Sequence, residues 1–155
     1  MKVYLVRHGM YASDYASELG PGLSPTGYAQ AKAAGAFLKS EGANPQVILT
    51  SGYLRATQTA QTIAEVLESK AEEVASRDFS PSGDPETMRA ILEGLEAQEI
   101  LVVGHMCSIG ELARSLCHYA PLCFDTCTVV ALEKQGATWK LLYFKDCGAD
   151  ARAEV

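Results

Sequence analysis

Three short segments of this 155-residue chain carry residue types that suit an oxyanion. They are Arg7-His8-Gly9, Ser51-Gly52-Tyr53-Leu54-Arg55 and Gly104-His105-Met106. Two of the chain's three histidines fall in them. A guanidinium is always charged and forked, so it can hold two oxygens of a tetrahedral anion at once. A helix that opens just after such a segment adds backbone N–H groups and a positive dipole end. Nearby cations also disfavour the protonated imidazole, and a neutral ring nitrogen is a competent nucleophile. The set Arg7, His8, Arg55 and His105 therefore points to a bound phosphoryl group, or a sulfate. His105 is expected to donate a hydrogen bond once a dianion is present.

The elements needed to gather these residues are legible. Residues 3–6, 47–50 and 100–103 are brief, β-branched runs bounded by turn or polar residues, and they read as buried parallel strands. Ser24-Pro25 opens a helix that runs to about Glu41 and stops at Gly42. Residues 54–67 form a second helix, Asp84-Pro85-Glu86 opens a third that ends near Ala97, and a fourth covers about 108–117. Residues 126–133 and 138–144 flank Gln135-Gly136 and read as a hairpin. The alternation implies a three-layer α/β/α sandwich with a mostly parallel central sheet. Ligands of such sheets bind beyond the carboxyl ends of the strands, where all three segments lie.

The rest of the chain narrows the classes of function. Length and the absence of a visible linker suit one domain over residues 1–155, with 148–155 as a fraying tail. The net charge of −6 and the lack of a basic tract argue against a nucleic-acid partner. An anion site must then be a local positive cluster that works against the global field. The apolar stretch before Arg7 is too short for a signal-peptide core or a membrane span, so a cytoplasmic protein without membrane contact is expected. The five cysteines are odd in number and lack a Cys-x-x-Cys pair, which favours free thiols.

At this point a resemblance covers most of the chain. Arg7-His8-Gly9 at the end of a first strand resembles the signature of the histidine phosphatase superfamily, with its phosphoglycerate-mutase-like fold. Leu23-Ser24-Pro25-Thr26-Gly27-Tyr28-Ala29-Gln30-Ala31 is similar to the family's Leu-Thr-x-x-Gly-x-x-Gln-Ala helix start. Ser51-Gly52-Tyr53-Leu54-Arg55-Ala56-Thr57-Gln58-Thr59-Ala60 is similar to Ser-x-x-x-Arg-Ala-x-Gln-Thr-Ala, and Val102-Val103-Gly104-His105 to the strand with the second histidine. The resemblance implies that His8 accepts phosphate and that Arg7, Arg55 and His105 form the pocket. It implies two in-line displacements through a phosphohistidine, with no metal and no cofactor.

Departures from the family pattern bear on the substrate. Met10 and Asp14 stand where many members have Glu or Gln, and Asn. No long insertion separates Arg55 from His105, so the family's inserted acid is missing. Residues 78–86 resemble the Pro-x-Gly-Asp segment of the small SixA-type phosphohistidine phosphatases. Asp84 and Glu86 are the candidate proton donors there, against the alternative that Asp84 simply caps the next helix. A P–N bond to a protonated imidazole breaks with less assistance than an alkyl ester. The expected substrate is a phosphorylated histidine-containing protein. The alternatives are a small phosphorylated metabolite, a phosphate-binding module without catalysis, or a metal site built from His8, His105 and cysteines. The last fits no common zinc spacing. His118 reads as a helix-terminal surface residue, Cys107 as a packing residue near the pocket, and Trp139 and Tyr143 as core or sheet-face residues.

Overall fold

The computed structural model describes residues 1–13 and 18–153. Asp14 and the last two residues lie outside them. Six strands and five helices follow in the order β1 (Lys2–Arg7), α1 (Pro25–Ser40), β2 (Val47–Thr50), α2 (Leu54–Leu67), β3 (Glu72–Ala75), α3 (Pro85–Gly94), β4 (Glu99–Gly104), α4 (Ser108–Leu116), β5 (Thr128–Gln135), β6 (Thr138–Asp146) and α5 (Ala149–Ala153). A 3-10 turn, Arg77–Phe79, follows β3. The strands form one sheet in the order β3-β2-β4-β1-β5-β6. The first four are parallel, while β5 runs antiparallel to β1 and β6 antiparallel to β5. The mostly parallel sandwich expected from the sequence is the architecture found.

Alternation along the strands builds the three layers. In β1, Val3 and Leu5 face one core with Met88, Leu92, Ile109 and Leu112 from α3 and α4. Tyr4 and Val6 face the other with Ala31, Leu38, Ala60 and Ile63 from α1 and α2. Both faces of β1 and β4 are therefore covered, which is why these strands read as unbroken apolar runs. Ser24 caps α1, its Oγ accepting from Gly27 N at 3.0 Å. Gly136 (φ +64°) supplies the left-handed residue that turns β5 into β6.

Three sequence expectations need correction. β3 was not anticipated: Glu72-Glu73-Val74-Ala75 is exposed throughout and is a strand only because it adds to the free edge of β2. The third helix stops at Gly94, three residues before Ala97. The segment expected to fray is helical over Ala149–Ala153, and Arg152 fastens it by donating to Thr126 O at 2.9 Å.

Candidate active site

The carboxyl ends of β1, β2 and β4 bring the three segments together. His8 is the first residue after β1 and is 4% exposed. Its Nδ1 lies 2.7 Å from Gly9 O, and its Nε2 lies 3.4 Å from Arg55 Nε. A carbonyl only accepts and a guanidinium only donates, so the two partners fix the tautomer. The proton sits on Nδ1, and the lone pair on Nε2 faces Arg55 Nε. Burial pushes the ring down to about 4 against the opposing Gly9 bond, and Arg55 and Arg7 add smaller contributions in the same downward direction. His8 is a neutral base at pH 7.

The loop after His8 is locked from several sides. Gly9 N donates to Thr59 Oγ1 at 3.0 Å, and Met10 N donates to Gln30 Oε1 at 2.9 Å. Gln30 is fully buried and its amide donates to Thr126 Oγ1 at 2.8 Å. A Cβ on Gly9 would stand 2.8 Å from Gly27 O, and one on Gly27 only 1.9 Å from Met10 O. The two glycines let the first turn of α1 press directly on the His8 loop.

Arg55 is held by aromatic rings, not by a carboxylate. Its Cζ is 4.9 Å from the Tyr11 ring centre and 5.1 Å from that of Tyr53. Stacking of this kind fixes the plane of the guanidinium while leaving its charge and most of its donors free. Each tyrosine also meets a histidine edge-on: Tyr11 meets His8 at 5.7 Å and Tyr53 meets His105 at 5.2 Å between ring centres.

His105 follows β4, is 1% exposed, and lies 4.9 Å from His8 ring to ring. Its Nε2 is 2.7 Å from Ser51 Oγ, which also accepts from Tyr53 N at 3.1 Å. Its Nδ1 is buried and has no hydrogen-bond partner among the described residues. Burial, then His8, Arg55 and Arg7, push this ring down to about 3. Arg7 donates through one terminal nitrogen to Phe124 O at 3.1 Å, while its buried Nε has no partner among the described residues. Arg7 lines an open cleft of about 410 Å³ with Met106, Cys107, Cys123, Phe124 and Asp125.

All four residues singled out from the sequence thus meet at one place. The helix starts contribute less than expected at α2, where Leu54 N donates to Leu19 O, and Ala56 N and Thr57 N donate to Tyr53 O. The two candidate proton donors have partners of their own. Asp84 Oδ2 accepts from Thr87 N and Oγ1, both at 2.9 Å, and so caps α3. Glu86 accepts from Ser115 Oγ at 3.3 Å, near the far end of α4. Cys107 is exposed at the cleft and not packed away, whereas Trp139 is buried and His118 is exposed as expected. Asp14 lies outside the described residues. Among those residues, no three His, Cys, Asp or Glu side chains come together where a metal ion could be held. No described helix is long and apolar enough to cross a membrane. Sequence reasoning missed Tyr11, Ser51, Tyr53 and Arg77 as site residues. Arg77 stacks on Tyr53, its Cζ 5.0 Å from the ring centre. A Tyr one residue past Ser-Gly, at the N-cap of a helix that carries the arginine, was the available signal for Tyr53.

Comparisons with known proteins bear on the family and the fold. The model of the histidine phosphatase superfamily (branch 1) matches residues 3–77. The phosphohistidine phosphatase SixA of Escherichia coli (strain K12) is 28% identical over 142 residues, covering 88% of this chain and 88% of that protein. An uncharacterized protein of Picosynechococcus is 32% identical over 121 residues, covering 75% of this chain and 73% of its own. A solved structure of the protein histidine phosphatase SixA, complexed with tungstate, superposes with a TM-score of 0.88 at 24% identity, covering 96% of this chain and 99% of that one.

Proposed function

The chain belongs to the histidine phosphatase superfamily, and from that premise we propose that it removes phosphate from phosphohistidine on a protein, through a phosphohistidine of its own at His8. The observation that carries the reading is the fixed tautomer of His8: Nδ1 is spent on Gly9 O, and Nε2 is an unprotonated base beside Arg55. In the first step Nε2 forms a bond to phosphorus as the P–N bond of the substrate breaks in line. The departing imidazole takes up a proton from solvent. The Gly9 carbonyl then accepts from the remaining N–H of a ring that has become cationic, which favours the intermediate. In the second step water attacks phosphorus, the bond to Nε2 breaks, and phosphate leaves.

Arg55 and Arg7 supply donors and charge for the phosphoryl oxygens. Ser51 Oγ takes the Tyr53 N–H on one lone pair, and its own hydrogen can point at His105 Nε2. That arrangement puts the ring proton of His105 on Nδ1, the buried nitrogen without a protein partner, and offers it to an anion. Tungstate, held by a solved SixA of the same fold, is a tetrahedral oxyanion of the same kind.

Two observations favour phosphohistidine over an alkyl ester. The curated SixA relative aligns over nearly nine-tenths of both chains. Asp84 and Glu86 are engaged by Thr87 and Ser115, and imidazole is the leaving group that least needs a strong acid. The test is a comparison of kcat/KM on a phosphohistidine-containing protein with kcat/KM on sugar phosphates. A preference for the protein is expected. A preference for sugar phosphates would overturn the substrate assignment.

A further inference from the structure

Four parallel strands end on the same edge of the sheet, in the spatial order β3-β2-β4-β1. The ends of β2, β4 and β1 deliver Arg55, His105 and the pair Arg7-His8. The end of β3 delivers Arg77, two residues past the strand. Arg77 thus stands at the outer end of the row that binds phosphate.

The six arginines of the chain divide into two groups. Arg89 is paired with Glu93 at 2.6 Å, Arg152 with Asp146, and Arg114 with the carbonyl of Ala120. Arg7, Arg55 and Arg77 line the carboxyl edge, and none of them pairs with a carboxylate among the described residues. Asp78, next to Arg77 in the chain, is turned to Ser76 Oγ at 3.2 Å. Arg77 is exposed, yet its guanidinium is seated on the Tyr53 ring, which also carries Arg55 on the ring and His105 at its edge. Arg77 thus shares the Tyr53 ring with two residues of the site.

A planar cation backed by a ring is ordered before binding and presents its fork outward. The phosphoryl group already has Arg7 and Arg55, so the partner of Arg77 is a second anion on the substrate. We propose that Arg77 determines specificity by binding an Asp or Glu side chain next to the phosphohistidine of a protein substrate, an inference that rests on the function proposed above. The chain's net charge of −6 opposes an acidic partner at long range, so its attraction must come from a local cationic cluster such as this edge.

Three substrates test it: N-phosphoimidazole, and two phosphohistidine peptides of equal length with either Glu or Lys beside the phosphohistidine. The native enzyme is expected to favour the Glu peptide by roughly three- to tenfold in kcat/KM, mostly through KM and less at high salt. Arg77→Lys keeps that order and Arg77→Glu reverses it. An unchanged order in Arg77→Glu, or the same fold-loss on all three substrates, would reduce Arg77 to a support for Tyr53 and overturn the inference. Equal native rates on the two peptides would overturn it alone. A native enzyme that turns over none of the three would overturn the phosphohistidine reading itself, and this inference with it.

Discussion

Arg55 Nε points its hydrogen at Nε2 of His8 across 3.4 Å, so the nitrogen that is to attack phosphorus is oriented by the group that is to hold the phosphoryl oxygens. One guanidinium does both jobs because Tyr11 and Tyr53 hold its plane without neutralising it. Arg55→Lys keeps the charge but loses the fork and the stacking. We expect kcat/KM to fall by about 100- to 1,000-fold, as for the loss of an oxyanion donor, with the fold intact by circular dichroism. A loss under tenfold would show that charge alone suffices.

The buried histidines make stability depend on pH with a definite sign. Both folded-state values, about 4 for His8 and about 3 for His105, lie below the ordinary 6.5. As pH falls, the unfolded chain takes up protons first, so the native state loses stability between about 6.5 and the folded values. Above 6.5 their contribution is complete and flat. The urea midpoint is expected to drop from pH 7 to pH 5, and to drop less in His8→Gln/His105→Gln. Equal slopes in the two proteins would assign the acid sensitivity to other groups.

Gly27→Ala probes the contact between α1 and the His8 loop. A Cβ there meets Met10 O at 1.9 Å, so the loop or the helix must move. Overpacking of this kind costs about 1–3 kcal/mol. The variant should unfold at lower urea and lose activity beyond what its folded fraction explains. Native-like activity per folded molecule would show that the loop position is not critical.

Asp84→Ala separates capping from proton donation. Loss of the bonds to Thr87 should cost about 1 kcal/mol of stability. Turnover should change by only a few-fold, and the same holds for Glu86→Gln. A hundredfold loss of kcat in either variant, with the fold intact, would restore that carboxylate as the acid.

The sequence was most informative where burial is two-sided. Residues 3–6 and 100–103 are apolar at every position because helices cover both faces, and their ends located His8 and His105. β3 was invisible for the opposite reason. Its strand character comes from backbone pairing with β2, and its four residues bury nothing that composition could reveal. With β3 went Arg77, whose place at the site depends on that pairing. The short helix α5 was misread for a similar reason, since Arg152 secures it through Thr126 and Asp146, contacts distant in kind from any local propensity. Tyr53 was quoted within a motif, but only coordinates show that one ring serves Arg55, Arg77 and His105 together.

Rapid-quench labelling with an isotopically phosphorylated histidine-containing protein asks whether His8 itself carries the phosphoryl group, with the site of attachment read by mass spectrometry and phosphorus NMR. A transient, acid-labile and base-stable phosphoryl group is expected on Nε2 of His8, absent from His8→Ala. Phosphate on Nδ1, on another residue, or on His8→Ala itself would contradict it.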